Sequence, residues 1–132
     1  MAIKLKNRNN TEIIKNNSNV DNVTFSSDGN GSMPKFDENG KLIGLGICSV
    51  SSLYNEVKRA IKEQNVPIEI AVKVITSNVA DLLRLGNKGR IMSSKDADFV
   101  LVDKEDLSIT DVYAKGEVLI EEGRIIKKGV FE

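Results

Sequence analysis

The sequence contains no histidine among its 132 residues. Histidine is the commonest metal ligand, and its side chain titrates near neutral pH without help from its surroundings. Its absence excludes Ser-His-Asp triads, histidine-rich zinc sites and imidazole acid-base catalysis within this chain. Any chemistry must therefore rest on carboxylates, hydroxyl groups, one thiol or the residues of another chain.

The sequence is also poor in cysteine, net charge and long apolar segments, and each shortage excludes a class of protein. One cysteine excludes an internal disulfide framework, so the expected location is the reducing cytoplasm. The 19 basic and 19 acidic side chains cancel, which argues against nucleic acids and anionic membrane surfaces as partners. No segment approaches the ~20 apolar residues of a membrane-spanning helix. The length and the hydrophobic fraction of 40% suit one soluble domain of modest size.

The first half of the sequence combines an Asn-rich start with strand and turn signals. Residues 1–19 predict a flexible arm, with a short helix over residues 11–15, because asparagine is a weak helix and strand former. Residues 23–26 are β-branched and aromatic and predict a strand. Residues 33–46 predict a hairpin with an exposed Asn-Gly tip.

The middle of the sequence predicts three helices between residues 52 and 83. Leu53, Val57, Ala60 and Ile61 recur at helical spacing. The serine cluster of Ser49, Ser51 and Ser52 is expected to cap the first helix. Residues 65–67 end that helix, and Pro67 begins the next one. The segment 76–78 is expected to cap the third helix.

The last third of the sequence predicts a β-meander. Short apolar runs lie between residues 99 and 126, and Lys-Gly at 115–116 and Glu-Gly at 122–123 separate three of them as hairpin turns. A strand, then helices, then a meander is typical of the end of a larger architecture.

One segment has the composition of a catalytic loop. Residues 26–32 read Ser-Ser-Asp-Gly-Asn-Gly-Ser and follow the predicted strand directly. A carboxylate such as Asp28 at the end of a strand, among glycines that allow close approach, is where (β/α) barrel enzymes carry catalytic groups. Taken alone, the pattern favours ordinary turn chemistry.

Two other candidates have structural interpretations that are favoured over chemical ones. Cys48 has no histidine to act as a base, and a buried small hydrophobe is the expected role. Asp96 and Asp98 lie on the same side of an extended chain and could form a paired-carboxylate metal site. Turn formation and edging of the next strand are the favoured roles for this pair.

The order of these segments changes the interpretation. The loop at 26–32, followed by Thr-Ser-Asn-Val-Ala at 76–80, Lys-Gly-Arg-Ile at 88–91 and Asp-Ala-Asp-Phe-Val-Leu-Val at 96–102, resembles the C-terminal part of a metal-dependent amidohydrolase. The loop motif in particular resembles isoaspartyl (β-aspartyl) dipeptidases. The resemblance covers residues 20–132, and the last five residues are similar to that family's terminus.

The resemblance implies an α/β fold, the C-terminal portion of a (β/α)8 TIM-like barrel followed by part of a small β-domain. Residues 20–90 would supply the last barrel strand, the catalytic loop and the following helices, and residues 91–132 the C-terminal β-strands. Two zinc ions are implied, held by upstream histidines and a carboxylated lysine. Asp28 matches the aspartate that touches one metal and handles the proton. Ser32 matches the serine that contacts the carboxylate end of a β-aspartyl dipeptide substrate.

Two departures from the family pattern shape the expectations. A (β/α)8 barrel takes about 250 residues, and the missing histidines place the other metal ligands outside this chain, which is expected to be inactive alone. Ser94-Lys95 stands where the family usually has a glycine.

The alternatives are a non-catalytic binding or assembly module and the tail of a dihydroorotase-like or deaminase-like enzyme. The expected partners are an upstream polypeptide that completes the barrel and further copies of the chain, joined through exposed apolar surface.

Overall fold

The computed structural model describes residues 2–4, 14 and 19–128. The strands are β1 (Ala2–Lys4), β2 (Thr24–Ser26), β3 (Ser32–Phe36), β4 (Leu42–Ile47), β5 (Phe99–Val102), β6 (Ile109–Ala114), β7 (Glu117–Glu121) and β8 (Arg124–Ile125). The helices are α1 (Ser52–Gln64), α2 (Ile68–Lys73) and α3 (Ser77–Leu82), with a 3-10 turn at Val20–Asn22. The predicted mixed α/β class is therefore confirmed. Most of the predicted short helix at 11–15 and the last four residues lie outside the described residues.

The described residues form two compact units that divide between Val79 and Ala80. In the first unit, β1 and β2 pair in parallel, with Ile3 opposite Phe25. Parallel strands need a long crossover connection, and Ile14, which is helical and buried, lies in the segment between these two. β1 was not predicted, because three residues at the start of an Asn-rich segment carry too little pattern to indicate a strand.

The core of the first unit lies between β2 and the helices. Its buried members are Ile14, Val23, Phe25, Val57, Ala60, Val66, Ala71 and Val74. Val57 and Ala60 are fully buried on one face of α1, as the helical spacing predicted. A hydrogen bond from the Phe25 amide to the Val74 carbonyl, 3.0 Å long, ties β2 to the end of α2. The core therefore fixes the strand that leads into the candidate loop.

The predicted serine cap of α1 is not made by Ser51, although the Ser49 hydroxyl accepts from the Ser51 amide at 3.3 Å. Ser51 is the N-cap residue, but its side chain makes no capping hydrogen bond, because its backbone is already helical (φ −66°, ψ −18°). A capping side chain normally requires the extended backbone conformation. The Ser52 hydroxyl donates to the Ser49 carbonyl instead, at 2.6 Å. The predicted end of α1 is confirmed, since Asn65 turns left-handed there (φ 55°) ahead of Pro67.

The second unit contains one antiparallel sheet, with β5, β6, β7 and β8 adjacent in that order. The predicted hairpin turns are confirmed at Lys115-Gly116 and Glu122-Gly123, where both residues of each pair have positive φ, the pattern of a two-residue type I′ turn. The rings of Phe99 and Tyr113 stack with their centroids 4.4 Å apart across β5 and β6. No helix in the part of the chain that the structure describes is both long and apolar enough to cross a membrane.

Candidate active-site loop

The two predicted site residues lie on the connection between β2 and β3. Asp28 follows the last residue of β2 by two positions and is half-buried. Ser32 is the first residue of β3 and is exposed. The structure therefore brings both residues to the carboxyl end of a strand that has a parallel neighbour, the end where (β/α) barrels carry their active sites.

Serine hydroxyls and a tight turn shape the loop. The Asp28 amide donates to the Ser26 hydroxyl at 3.4 Å, and the Gly29 amide donates to the Ser27 hydroxyl at 3.2 Å. The Gly31 amide closes the turn on the Asp28 carbonyl at 2.9 Å. Asp28 itself is left-handed, with φ 52°. Aspartate and asparagine tolerate this conformation better than most residues, so the loop sequence suits its backbone.

Cys48 holds the loop through its backbone. Its carbonyl accepts from the Asn30 amide at 3.0 Å, and its amide donates to the Gly31 carbonyl at 2.9 Å. We call this pair of hydrogen bonds the Cys48 strap. The thiol is free and its residue only half-buried, so the prediction of a fully buried side chain is wrong. Cys48 follows β4 directly, and the hairpin thereby brings its backbone against the loop.

Gly31 allows the Asp28 carboxyl group to lie against the backbone. A Cβ atom at position 31 would stand 2.9 Å from the Asp28 carbonyl oxygen and 3.0 Å from its Oδ2 atom. Both distances are shorter than side chains normally tolerate, so a residue other than glycine would push the carboxyl group aside. The second glycine of the motif thus leaves room for the carboxyl group in this position.

The residues present do not make a metal site by themselves. Within the described residues, no group of three or more aspartate, glutamate or cysteine side chains could hold a metal ion. Structural and catalytic zinc sites use three or four protein ligands, commonly including histidine, which the sequence lacks altogether. Asp28 could supply at most one ligand to a centre whose other ligands come from elsewhere.

Asn78 is hydrogen-bonded to the segment that leads into β2. Its side-chain amide donates two hydrogen bonds of 2.8 Å, one to the Val20 carbonyl and one to the Val23 carbonyl, and its residue is 6% exposed. The sequence analysis took this residue for part of a helix cap. Nothing in the sequence indicates that its side chain reaches back across more than fifty positions to the turn before β2, which only packing decides.

Asp96 and Asp98 lie on the same side of the chain, as predicted, and they share a cation. The Lys88 ammonium contacts Asp96 Oδ2 at 2.7 Å and also pairs with Asp98. Asp98 in addition accepts from the Lys115 amide at 2.6 Å, in the turn between β6 and β7. A lysine ammonium thus lies between the two carboxylates, and the favoured structural interpretation of the pair is supported.

Ser94, at the position where a glycine was expected, has a left-handed backbone with φ 67°.

This cluster predicts a pH dependence of stability. The hydrogen bond from Lys88, followed by that from the Lys115 amide, holds the pKa of Asp98 below its ordinary 3.8. The hydrogen bond from Asp96, followed by that from Asp98, raises the pKa of Lys88 above 10.5. A lowered carboxyl pKa stabilises the fold at pH values above the pKa of the unfolded chain, and this stabilisation is lost as the pH falls through the folded pKa. A raised lysine pKa stabilises the fold at pH values below the pKa of the unfolded chain, and this stabilisation is lost as the pH rises through the folded pKa.

We therefore expect the cluster's contribution to be complete between pH 3.8 and pH 10.5 and to disappear outside that window. Thermal unfolding of Asp98→Asn should show a shallower loss of melting temperature than the unsubstituted chain as the pH falls below 3.8. Glu105→Gln, an exposed carboxyl group on the same unit, serves as the control. If the melting temperatures of Asp98→Asn and of the unsubstituted chain fell equally with decreasing pH, this assignment would be contradicted.

The model of the amidohydrolase family matches residues 3–119. An adenine deaminase from Geobacillus kaustophilus is 34% identical over 76 residues, which are 57% of this chain and 13% of that protein.

Two crystal structures of β-aspartyl dipeptidase from Fervidobacterium islandicum AW-1 are also similar. One, in complex with a β-Asp-Leu dipeptide, is 42% identical with a TM-score of 0.76, over 92% of this chain and 32% of that chain. The other is 29% identical with a TM-score of 0.77, over 98% of this chain and 33% of that chain. The resemblance to isoaspartyl dipeptidases is thereby confirmed, and this chain spans about a third of the length of those two.

Proposed function

The chain belongs to the amidohydrolase family, and from that premise we propose that it supplies the last barrel strand and the catalytic loop of a zinc-dependent isoaspartyl dipeptidase. The observation that carries the proposal is Asp28, a carboxylate at the end of a parallel strand, lying against Gly31 on a loop that is hydrogen-bonded at both sides. The similar dipeptidase crystallised with β-Asp-Leu supports β-aspartyl dipeptides as the substrate class.

The parallel pair of β1 and β2 supports the barrel assignment. Every strand of a (β/α)8 barrel pairs in parallel with its neighbours through a crossover that contains a helix. β1, the buried helical position Ile14 and β2 follow that order. On this proposal, β2 is the eighth strand, the helices that follow cover it, and the sheet of β5 to β8 belongs to the small β-domain. The predicted division of these parts after residue 90 stays a prediction.

The proposed role of Asp28 is to move the proton. Its carboxylate accepts the proton of the water that attacks the amide carbon and delivers it to the departing amine. The Ser32 hydroxyl donates a hydrogen bond to the carboxylate end of the dipeptide. In the assembled enzyme Asp28 would be one ligand of zinc, which would supply a Lewis acid for the amide carbonyl, and any histidine ligands would come from residues outside these 132, which contain none.

The exposed face of the β3–β4 hairpin supports an association with further polypeptide. Ile43, Leu45 and Ile47 alternate along β4, and 63%, 69% and 78% of their respective surfaces are exposed. Ser32 lies directly opposite Ile47 and therefore on the same face of the hairpin. Exposing a row of large apolar side chains to water costs free energy, which favours a partner that covers them. Because Ser32 lies on the same face, that partner would also border the proposed substrate contact.

A deaminase is the second candidate function, because the adenine deaminase of Geobacillus kaustophilus shares 34% of the residues over the matched segment. The two candidates differ in substrate. A dipeptidase releases aspartate from a β-aspartyl dipeptide, whereas a deaminase releases ammonia from a nucleobase.

Reconstitution tests the proposal. The chain would be assayed alone and after mixing with the polypeptide encoded immediately upstream, with bound zinc measured and with β-Asp-Leu and adenine as parallel substrates. We expect zinc binding and dipeptide hydrolysis in the mixture and neither in the chain alone. Zinc-dependent hydrolysis by the chain alone would contradict the assembly, and release of ammonia from adenine without dipeptide hydrolysis would favour the deaminase.

A further inference from the structure

The chain contains two Asn-Gly steps, Asn30-Gly31 in the candidate loop and Asn39-Gly40 at the tip of the β3–β4 hairpin. An Asn-Gly step is chemically unstable, because glycine has no side chain to hinder its own backbone nitrogen. That nitrogen attacks the asparagine side-chain carbon, a C–N bond forms, and ammonia leaves. Water then opens the cyclic imide to aspartate or isoaspartate. The reaction is spontaneous and needs only water.

The step at residues 30–31 is held from both sides. The Cys48 strap engages the Asn30 amide and the Gly31 carbonyl, and the Gly31 amide donates to the Asp28 carbonyl at 2.9 Å. The Asp28 carboxyl group also lies against the Gly31 α-carbon. Attack requires the Gly31 nitrogen to leave its acceptor and the peptide between the two residues to rotate. Here that rotation would break the strap and displace the carboxyl group.

The step at residues 39–40 has far less around it. Asn39 and Gly40 are both exposed, and a Cβ atom at Gly40 would meet nothing within 4 Å. The Gly40 amide donates to the Asp37 carbonyl at 3.0 Å. The flanking amides of Asn39 and Lys41 both donate to one side-chain atom, Asp37 Oδ1, at 2.9 Å. One rotation of the Asp37 side chain releases both of these bonds. The Asp37 amide still donates to the Lys41 carbonyl at 2.9 Å, but that bond closes the hairpin on either side of the Asn39-Gly40 peptide and does not hold the peptide itself.

We propose that Asn39 is the site of spontaneous deamidation in this protein and that the Cys48 strap protects Asn30 from the same reaction. The inference is independent of the proposed hydrolase activity. The protection matters chemically, since deamidation of Asn30 would place a second negative charge in the loop that carries Asp28, and an isoaspartyl linkage would lengthen its backbone.

Ageing of the intact 132-residue protein in mildly alkaline buffer tests the proposal. Peptide mapping by mass spectrometry follows the conversion of amide to carboxyl at each asparagine, and fragmentation separates aspartate from isoaspartate. We expect Asn39 to react about tenfold faster than Asn30 in the folded protein, and the two rates to fall within about twofold of each other in denaturant. Equal rates in the folded protein would overturn the proposal.

Substitution of Asp37 tests the clamp at the tip. Asp37→Ala removes both side-chain hydrogen bonds and should accelerate the reaction of Asn39 about two- to tenfold while leaving the Asn30 rate unchanged. Asp37→Asn keeps an oxygen acceptor and should give a smaller increase. Because Asn30 is measured in the same sample, it reports whether the variant is folded. If Asn39 deamidated at the same rate in Asp37→Ala as in the unsubstituted protein, the Asp37 side chain would not be what slows the reaction.

Discussion

Replacement of Asp28 with asparagine is expected to lower kcat for β-aspartyl dipeptide hydrolysis by the reconstituted enzyme about 100- to 10,000-fold, the usual range for loss of a positioned proton-transfer group. Asparagine has the shape of aspartate and tolerates the left-handed backbone found at this position, φ 52°, so the turn should survive the change. What is lost is the ability of residue 28 to accept and deliver a proton. Initial rates at saturating β-Asp-Leu measure the effect on freshly purified protein, because the substitution creates an Asn-Gly step at residues 28–29 whose deamidation would restore aspartate.

The matched control is Asp37→Asn, the same substitution at the hairpin tip. Asp37 bonds the amides of its own turn and has no place in the proposed chemistry, so kcat should be unchanged. Bound zinc should be measured in both variants, because loss of metal would assign Asp28 to metal binding more than to proton transfer. An Asp28→Asn enzyme with kcat within about twofold of the unsubstituted one would remove Asp28 from the mechanism.

Replacement of Asn78 with alanine is expected to lower the free energy of unfolding by about 1–3 kcal/mol. The substitution removes a 2.8 Å donor from the Val20 and Val23 carbonyls. The Val20 carbonyl keeps the Val23 amide at 2.9 Å, so the main loss is at the buried Val23 carbonyl. A buried polar group left without its partner costs about 1–3 kcal/mol. Urea denaturation followed by circular dichroism measures the change.

Thr76→Ala provides the comparison for Asn78. Thr76 is exposed, and its hydroxyl donates to the Val72 carbonyl one helical turn back, at 2.7 Å. Loss of that bond should cost less than about 0.5 kcal/mol, because water can take the place of the hydroxyl. If both variants lost the same stability, the two long-range hydrogen bonds of Asn78 would not be the reason for its burial.

Local sequence patterns predicted the hairpin, the helices and the last four strands because each depends on neighbouring residues. The Lys115-Gly116 turn requires two positive φ angles, which its glycine favours, and α1 has its buried Val57 and Ala60 at helical spacing. β1 escaped prediction because a three-residue strand owes its existence to a partner twenty-two positions away. The cap of α1 failed because side-chain capping depends on one backbone angle that composition does not reveal.

The sequence predicted which residues form the candidate site but not the contacts that hold them. A motif of seven residues predicted Asp28 and Ser32 on one loop, and their roles stay a prediction. The strap from Cys48, the contact over Gly31 and the brace from Asn78 come from residues that are distant in sequence or have ordinary turn chemistry. From the sequence, Asn78 was therefore predicted only as part of a helix cap, and Cys48 as a buried small side chain.

The sequence by itself determined the family resemblance and the lack of a histidine-based metal site within this chain, and it predicted Asp28 as the candidate catalytic carboxylate. These follow from which side chains are present and in what order, before the chain folds. The tertiary structure decided which of two Asn-Gly steps is hydrogen-bonded to Cys48, and that a lysine lies between Asp96 and Asp98. Such pairings depend on hydrogen bonds and ion contacts that form only when separate segments pack together.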